Sequence, residues 1–135
     1  MLYDPERHEP LRPGAWDEAR AQAMIEQIVR NTEAWFSPET HWPFHSRDAD
    51  GGKTEPAYAL YFGASGVVWA LHYLQAVGAI ELKRSYEDYV QSLPPLNRAW
   101  LASFGSTDFA SYMMGDTGIL LLSYWASFSV SWTLF

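Results

Sequence analysis

The sequence predicts an all-α fold, built as the first two helical hairpins of a repeating array, and three observations lead there. Two glycine pairs, Gly63-Ala64-Ser65-Gly66 and Gly115-Asp116-Thr117-Gly118, lie 52 positions apart. Each opens an apolar run, Val67-Val68-Trp69-Ala70-Leu71 in the first and Ile119-Leu120-Leu121-Leu122 in the second. The order amphipathic helix, loop, glycine pair, apolar helix then occurs twice, and the interval is long enough for one helix out and one back. With 135 residues, 48% of them hydrophobic, the chain has material for the core of one domain.

Residues 1–13 carry Pro5, Pro10 and Pro13 among charges and read as an extended arm. The helical domain spans 14–126. Its first helix is expected to begin near Gly14 or Ala15, with Ala21, Ile25, Ile28, Thr32 and Trp35 as its apolar stripe and Glu18, Glu26, Arg30 and Glu33 mostly off it. Ser37-Pro38 stops it. A long connection over 37–58 holds Pro38, Pro43, Gly51, Gly52 and Pro56. The helix at about 65–77 is apolar almost all round, so it is expected to be enclosed on most sides, and Gly78 provides a left-handed cap. Ser85 and Asp88 form a capping-box signal for the next helix, which Pro94-Pro95 should break or kink before Leu96, Trp100, Leu101 and Phe104 resume it. After a turn at Gly105-Ser106-Thr107-Asp108, the second glycine pair starts an apolar helix to about Ala126.

Past that point Ser127-Phe128-Ser129-Val130-Ser131-Trp132 alternates at period two, a strand pattern. Residues 127–135 are therefore read as an atypical tail, foreign to the fold and the mark of a truncation or a frame change. From Thr117 to Phe135 no residue is charged. Several Ser and Thr residues and the lack of flanking Lys or Arg favour a buried helix over a membrane span.

Charge and composition exclude several classes. A net charge of −7 with nine dispersed Lys and Arg offers no stripe for successive phosphates, so nucleic acid is not an expected partner. Without cysteine the chain can build neither a disulfide framework nor a thiolate zinc site nor a Cys nucleophile. The N-terminal residues lack a basic region followed by an apolar one, which makes the cytoplasm the expected compartment.

Glycine before a helix interior can permit positive φ or remove a Cβ where backbones approach. Structural roles are thus expected for Gly63, Gly66, Gly115 and Gly118. A phosphate cradle would need a preceding strand and a Lys or third glycine, which neither pair has. The wider strings, Leu60-Tyr61-Phe62-Gly63-Ala64-Ser65-Gly66-Val67-Val68-Trp69-Ala70-Leu71 and Ser111-Tyr112-Met113-Met114-Gly115-Asp116-Thr117-Gly118-Ile119-Leu120-Leu121, closely resemble the first two repeats of the lanthionine synthetase C-like (LanC-like) family. The resemblance covers about residues 15–125. It implies an α/α toroid, an outer ring of helices around an inner ring, of which this chain holds the opening part.

The resemblance also implies an ancestry in thioether formation, the addition of Cys or glutathione thiols to dehydroamino acids in peptides. Zinc suits that chemistry because it holds a thiol as a thiolate at neutral pH. The family's zinc ligands, two Cys and one His, and its acid/base groups lie in later repeats, and no position here matches them. The expectation is therefore no catalytic residue, no metal ligand and no cofactor in this chain, with zinc confined to full-length relatives. The implied partners are a peptide substrate or the missing C-terminal repeats.

Other polar candidates carry bland readings beside functional ones. His41 and His45 are four apart, but Pro43 argues against a shared helix. His72 reads as a hydrogen-bonded core residue rather than a ligand or base. Asp48, Asp50 and Glu55 read as a solvated loop face. Asp116 is expected to cap its helix, with substrate contact as the alternative. Trp16, Trp35, Trp69, Trp100 and Trp125 would fill gaps between helical layers, or face water if the toroid is incomplete and so favour self-association. Two rival functions stay open: a non-enzymatic peptide- or protein-binding module, and a fragment of a glycan-directed α/α toroid enzyme using carboxylates such as Asp50, Glu55 or Asp108.

Overall fold

A computed structural model describes residues 14–42 and 55–129. Four helices follow one another: α1 (Glu18–Trp35), α2 (Ala64–Ala76), α3 (Glu87–Ser103) and α4 (Asp116–Ser129). The described residues form no strand beyond an isolated bridge between Ser37 and His41. The fold class is all-α.

Asp17 starts α1 a few residues later than the apolar pattern suggests, because its Oδ1 accepts the Arg20 N–H at 2.9 Å. The buried face of α1 also differs from the predicted stripe: Val29 and Glu33 are buried, whereas Ile28 and Trp35 are exposed. Polar ties set that rotation. Gln22 Nε2 donates to the Ala79 carbonyl at 2.6 Å, and Glu33 accepts the Lys83 N–H at 3.0 Å. The two anchors lie three turns apart on one side of α1, so that side faces the segment following α2. Trp42 Nε1 adds a third tie to the Thr32 carbonyl at 2.8 Å.

Both α2 and α3 end in the same device. Gly78 (φ 74) and Gly105 (φ 76) take the left-handed conformation, and the next N–H reaches back to Leu74 and Leu101 respectively. The capping box predicted at Ser85 is not formed; Tyr86 precedes α3, and Ser85 Oγ accepts only the Glu87 N–H. Pro94-Pro95 does not interrupt α3 either. Each proline removes one helical donor, but Val90, Leu93, Asn97 and Leu101 are buried along one face, and that packing holds the helix through the gap. The strand pattern of 127–129 is likewise overridden, as α4 continues through Ser129. The rest of the tail, 130–135, and the arm, 1–13, lie outside the described residues.

One core joins Val29 of α1 with Ala64, Val68 and Leu71 of α2, Tyr86, Val90 and Leu93 at α3, and Ile119 and Leu122 of α4. The closest helix pair is α3 with α4, and α2 touches both. Enclosure of α2 on most sides is not met: Trp69 and Tyr73 stack on each other and remain about half exposed. Trp16, Trp35 and Trp125 are exposed too, while Trp100 packs edge-on between Phe62 and Phe104. None of the helices among the described residues is long and apolar enough to cross a membrane.

Candidate functional site

The two glycine turns are the same device built twice. Residues 57–63 cross the start of α2 and residues 109–115 cross the start of α4. The first helical N–H donates back seven residues in each, Ala64 to the Ala57 carbonyl at 2.9 Å and Asp116 to the Phe109 carbonyl at 2.7 Å. The next residue's hydroxyl does the same, Ser65 to Tyr58 at 2.5 Å and Thr117 to Ala110 at 2.8 Å. Helix-start donors that would lack partners are thereby used to clamp the crossing loop.

The glycines are where that loop lies against the helix. A Cβ on Gly63 would stand 2.6–2.7 Å from backbone atoms of Ala57, Tyr58 and Ala59; on Gly115 it would meet the Phe109 carbonyl group and the Ser111 nitrogen at 2.7 Å. On Gly66 and Gly118 it would strike the carbonyl oxygens of Leu60 and Tyr112. Positive φ is not the reason, since Gly78 and Gly105 are the positive-φ glycines. Close backbone approach is. The two turns also join directly: the Tyr61 N–H donates to the Met113 carbonyl at 3.0 Å, a bond between residues 52 positions apart.

Beside the first turn lies an apolar groove of about 810 Å³. Ile28, Val29 and Thr32 of α1 and Gly66, Val67, Ala70 and Leu74 of α2 line it, together with Trp42, with Tyr61 and Phe62 of the first turn and with Tyr112 and Met113 of the second. Its volume is that of a small-ligand or side-chain cluster site. Its lining offers hydrophobic contact and almost no groups for acid, base or nucleophilic work.

Asp116 is buried and does not cap α4 with its side chain. Its Oδ2 pairs with the Arg98 guanidinium of α3 while its Oδ1 has no partner. Asn97, fully buried, donates from Nδ2 to the Met114 carbonyl at 2.9 Å. Adjacent residues of α3 thus fasten the second turn, one through its backbone and one through its carboxylate. Neither was singled out in the sequence, although Asn97 interrupts an apolar stripe running from Leu93 to Leu101.

His41, at φ 55, is buried in an aromatic cluster, with Nδ1 2.6 Å from the Tyr89 hydroxyl and its ring edge-on to Tyr58. Burial holds its pKa below the ordinary 6.5, against a smaller opposing pull from Glu39. Burial also lowers His72, whose ring lies 6.4 Å from that of Tyr86, and Glu87 opposes the shift. Tyr86 is pushed up to about 12 by burial first and then by Glu33, with Arg84 opposing. Tyr89 rises further, again mainly through burial. His45, Asp48 and Asp50 lie outside the described residues. Glu55 and Asp108 are exposed. No group of three His, Asp or Glu side chains converges to hold a metal ion among the described residues.

Comparison with protein-family models, with characterised proteins and with solved structures finds no match. The family resemblance therefore rests on the two motif strings themselves.

Proposed function

We propose that this chain is an N-terminal fragment of a LanC-like α/α toroid, two helical hairpins of a scaffold whose family adds Cys or glutathione thiols to dehydroamino acids in peptides. The observation that carries the reading is the shared register of the two glycine turns, whose clamping bonds recur at 52-residue spacing. A duplicated unit of loop and inner helix is what an array of such hairpins requires. In this reading the chain supplies frame rather than chemistry. Zinc and the acid/base groups belong to further repeats, the peptide substrate meets those repeats, and the location is cytoplasmic.

The test reads the coding DNA downstream of this segment in all frames and assays the chain itself. The expected result is further glycine-pair repeats carrying the two Cys and one His of the zinc site, and no thioether product by mass spectrometry when the chain alone meets zinc, a dehydroalanine peptide and glutathione. Downstream sequence without such repeats, or turnover by the chain alone, overturns the reading. A second reading, a non-enzymatic binding module, is favoured by the apolar groove beside α2.

A further inference from the structure

The two inner helices, compared position by position, are open on different sides. On α4, Gly118, Ile119 and Leu122 are buried, and the Leu60 side chain of the first turn lies against Gly118, 2.9 Å from where its Cβ would stand. Their counterparts 52 positions earlier, Gly66, Val67 and Ala70, line the open groove, and Ala70 is exposed. The opposite side reverses. Ser65 and Val68 of α2 are fully buried, while their counterparts Thr117 and Leu120 on α4 are exposed, Leu120 by 55%. Each open face is the copy of a face that is buried inside the chain, and there Val68 of α2 joins Ile119 and Leu122 of α4 in one core.

From this we infer that two copies of the chain associate head to tail, the open α4 face around Leu120 of one copy seating in the apolar groove of α2 in the next. The contact repeats the packing of α2 on α4 inside the chain, where Val68 shares the core with Ile119 and Leu122: Leu120 stands at the position of Val68, and Val67 and Ala70 of the groove at those of Ile119 and Leu122. It deepens the scaffold reading and rests on the duplicated unit described there. Because the two faces differ, the contact is heterologous, so an associated pair keeps one free α4 face and one free groove. The occupant is apolar, in keeping with a groove that carries no charged side chain.

Two variants on exposed positions test it, Ala70→Glu in the groove and Leu120→Glu on α4. By analytical ultracentrifugation the wild-type chain should gain mass with concentration, and each variant alone should stay monomeric with unchanged helical circular dichroism. An equimolar mixture should form a 1:1 dimer, since each variant retains the face the other lacks. The chain has no cysteine, so Ala70→Cys and Leu120→Cys variants give a second reading: mixed and oxidised, they should cross-link to each other in preference to themselves. A wild-type chain that is monomeric at every concentration overturns the inference, as does a mixture that fails to pair or cross-links formed equally within each variant. The downstream-sequence test is independent of this one, so the two readings fail separately.

Discussion

The first and second glycine turns share their backbone and differ in their surroundings. Both clamp a crossing loop with a helix-start N–H and a hydroxyl, and both exclude a Cβ at two positions. Yet the first borders an open groove, while the second is fastened by Asn97 and by the Arg98–Asp116 pair. The difference teaches that the local turn is specified by small residues and helix-end hydrogen bonding, whereas its burial is decided by what packs beside it.

The strongest way to break the equivalence is to add a methyl group to each glycine. Gly63→Ala and Gly115→Ala press on several backbone atoms and should each cost about 2–3 kcal/mol in urea unfolding. Gly118→Ala should cost more than Gly66→Ala, because it also meets the Leu60 side chain, whereas Gly66 borders the open groove. Tolerance of alanine at all four positions would show that close backbone approach is not what requires glycine in these turns.

A smaller effect separates the turns through charge. The first turn has Ala64 where the second has Asp116. Arg98→Ala should cost about 1–2 kcal/mol, discounted because the guanidinium is half exposed, since it leaves a buried carboxylate unpaired. Asp116→Ala should cost less than Arg98→Ala, because it restores the first turn's residue and also removes the unpartnered Oδ1. The reverse order would mean that the carboxylate holds α4 in place by another route.

The clamping hydroxyls come next. Ser65 is fully buried and Thr117 exposed, so Ser65→Ala should cost about 1 kcal/mol and Thr117→Val only a few tenths. Similar losses at the two would indicate that water does not replace the bond at Thr117.

The smallest effect concerns a contact the second turn lacks, since Ala110 stands where Tyr58 meets His41. His41 is held neutral by burial, so the unfolded chain binds the proton more readily. Its contribution to stability is complete above the ordinary value of 6.5 and falls as pH drops through that value towards the lowered one, and His72 acts with the same sign. The fall in melting temperature between neutral and mildly acidic pH should shrink in His41→Gln; an unchanged slope would assign the loss to His72 or to carboxylates.

Much of the helical order was legible because α2 and α4 are announced by glycine pairs and α2 ends at a glycine that can take positive φ. The helix boundary at Asp17, the rotation of α1 and the passage of α3 through Pro94-Pro95 were not. The Asp17 cap is a local bond to Arg20 that the apolar pattern does not report, whereas the other two depend on tertiary packing: Ala79 and Lys83 turn α1, and a buried face from Val90 to Leu101 outweighs two missing donors. The second turn's attachment was hidden for the same reason: Asp116 stands out within its glycine motif, but its partner Arg98 lies 18 residues away and belongs to no recognisable pattern. The groove is legible only in three dimensions, because its walls come from α1, α2 and both turns.

The bond from Tyr61 to Met113 joins the two turns with a polarity. One position plays donor in the earlier unit and acceptor in the later one. An in-frame tandem duplication of 52 residues would hand the same pairing to each added unit without any new side chain being invented. A duplication of another length would shift the partners out of step. A single main-chain contact thus fixes the register between the two turns.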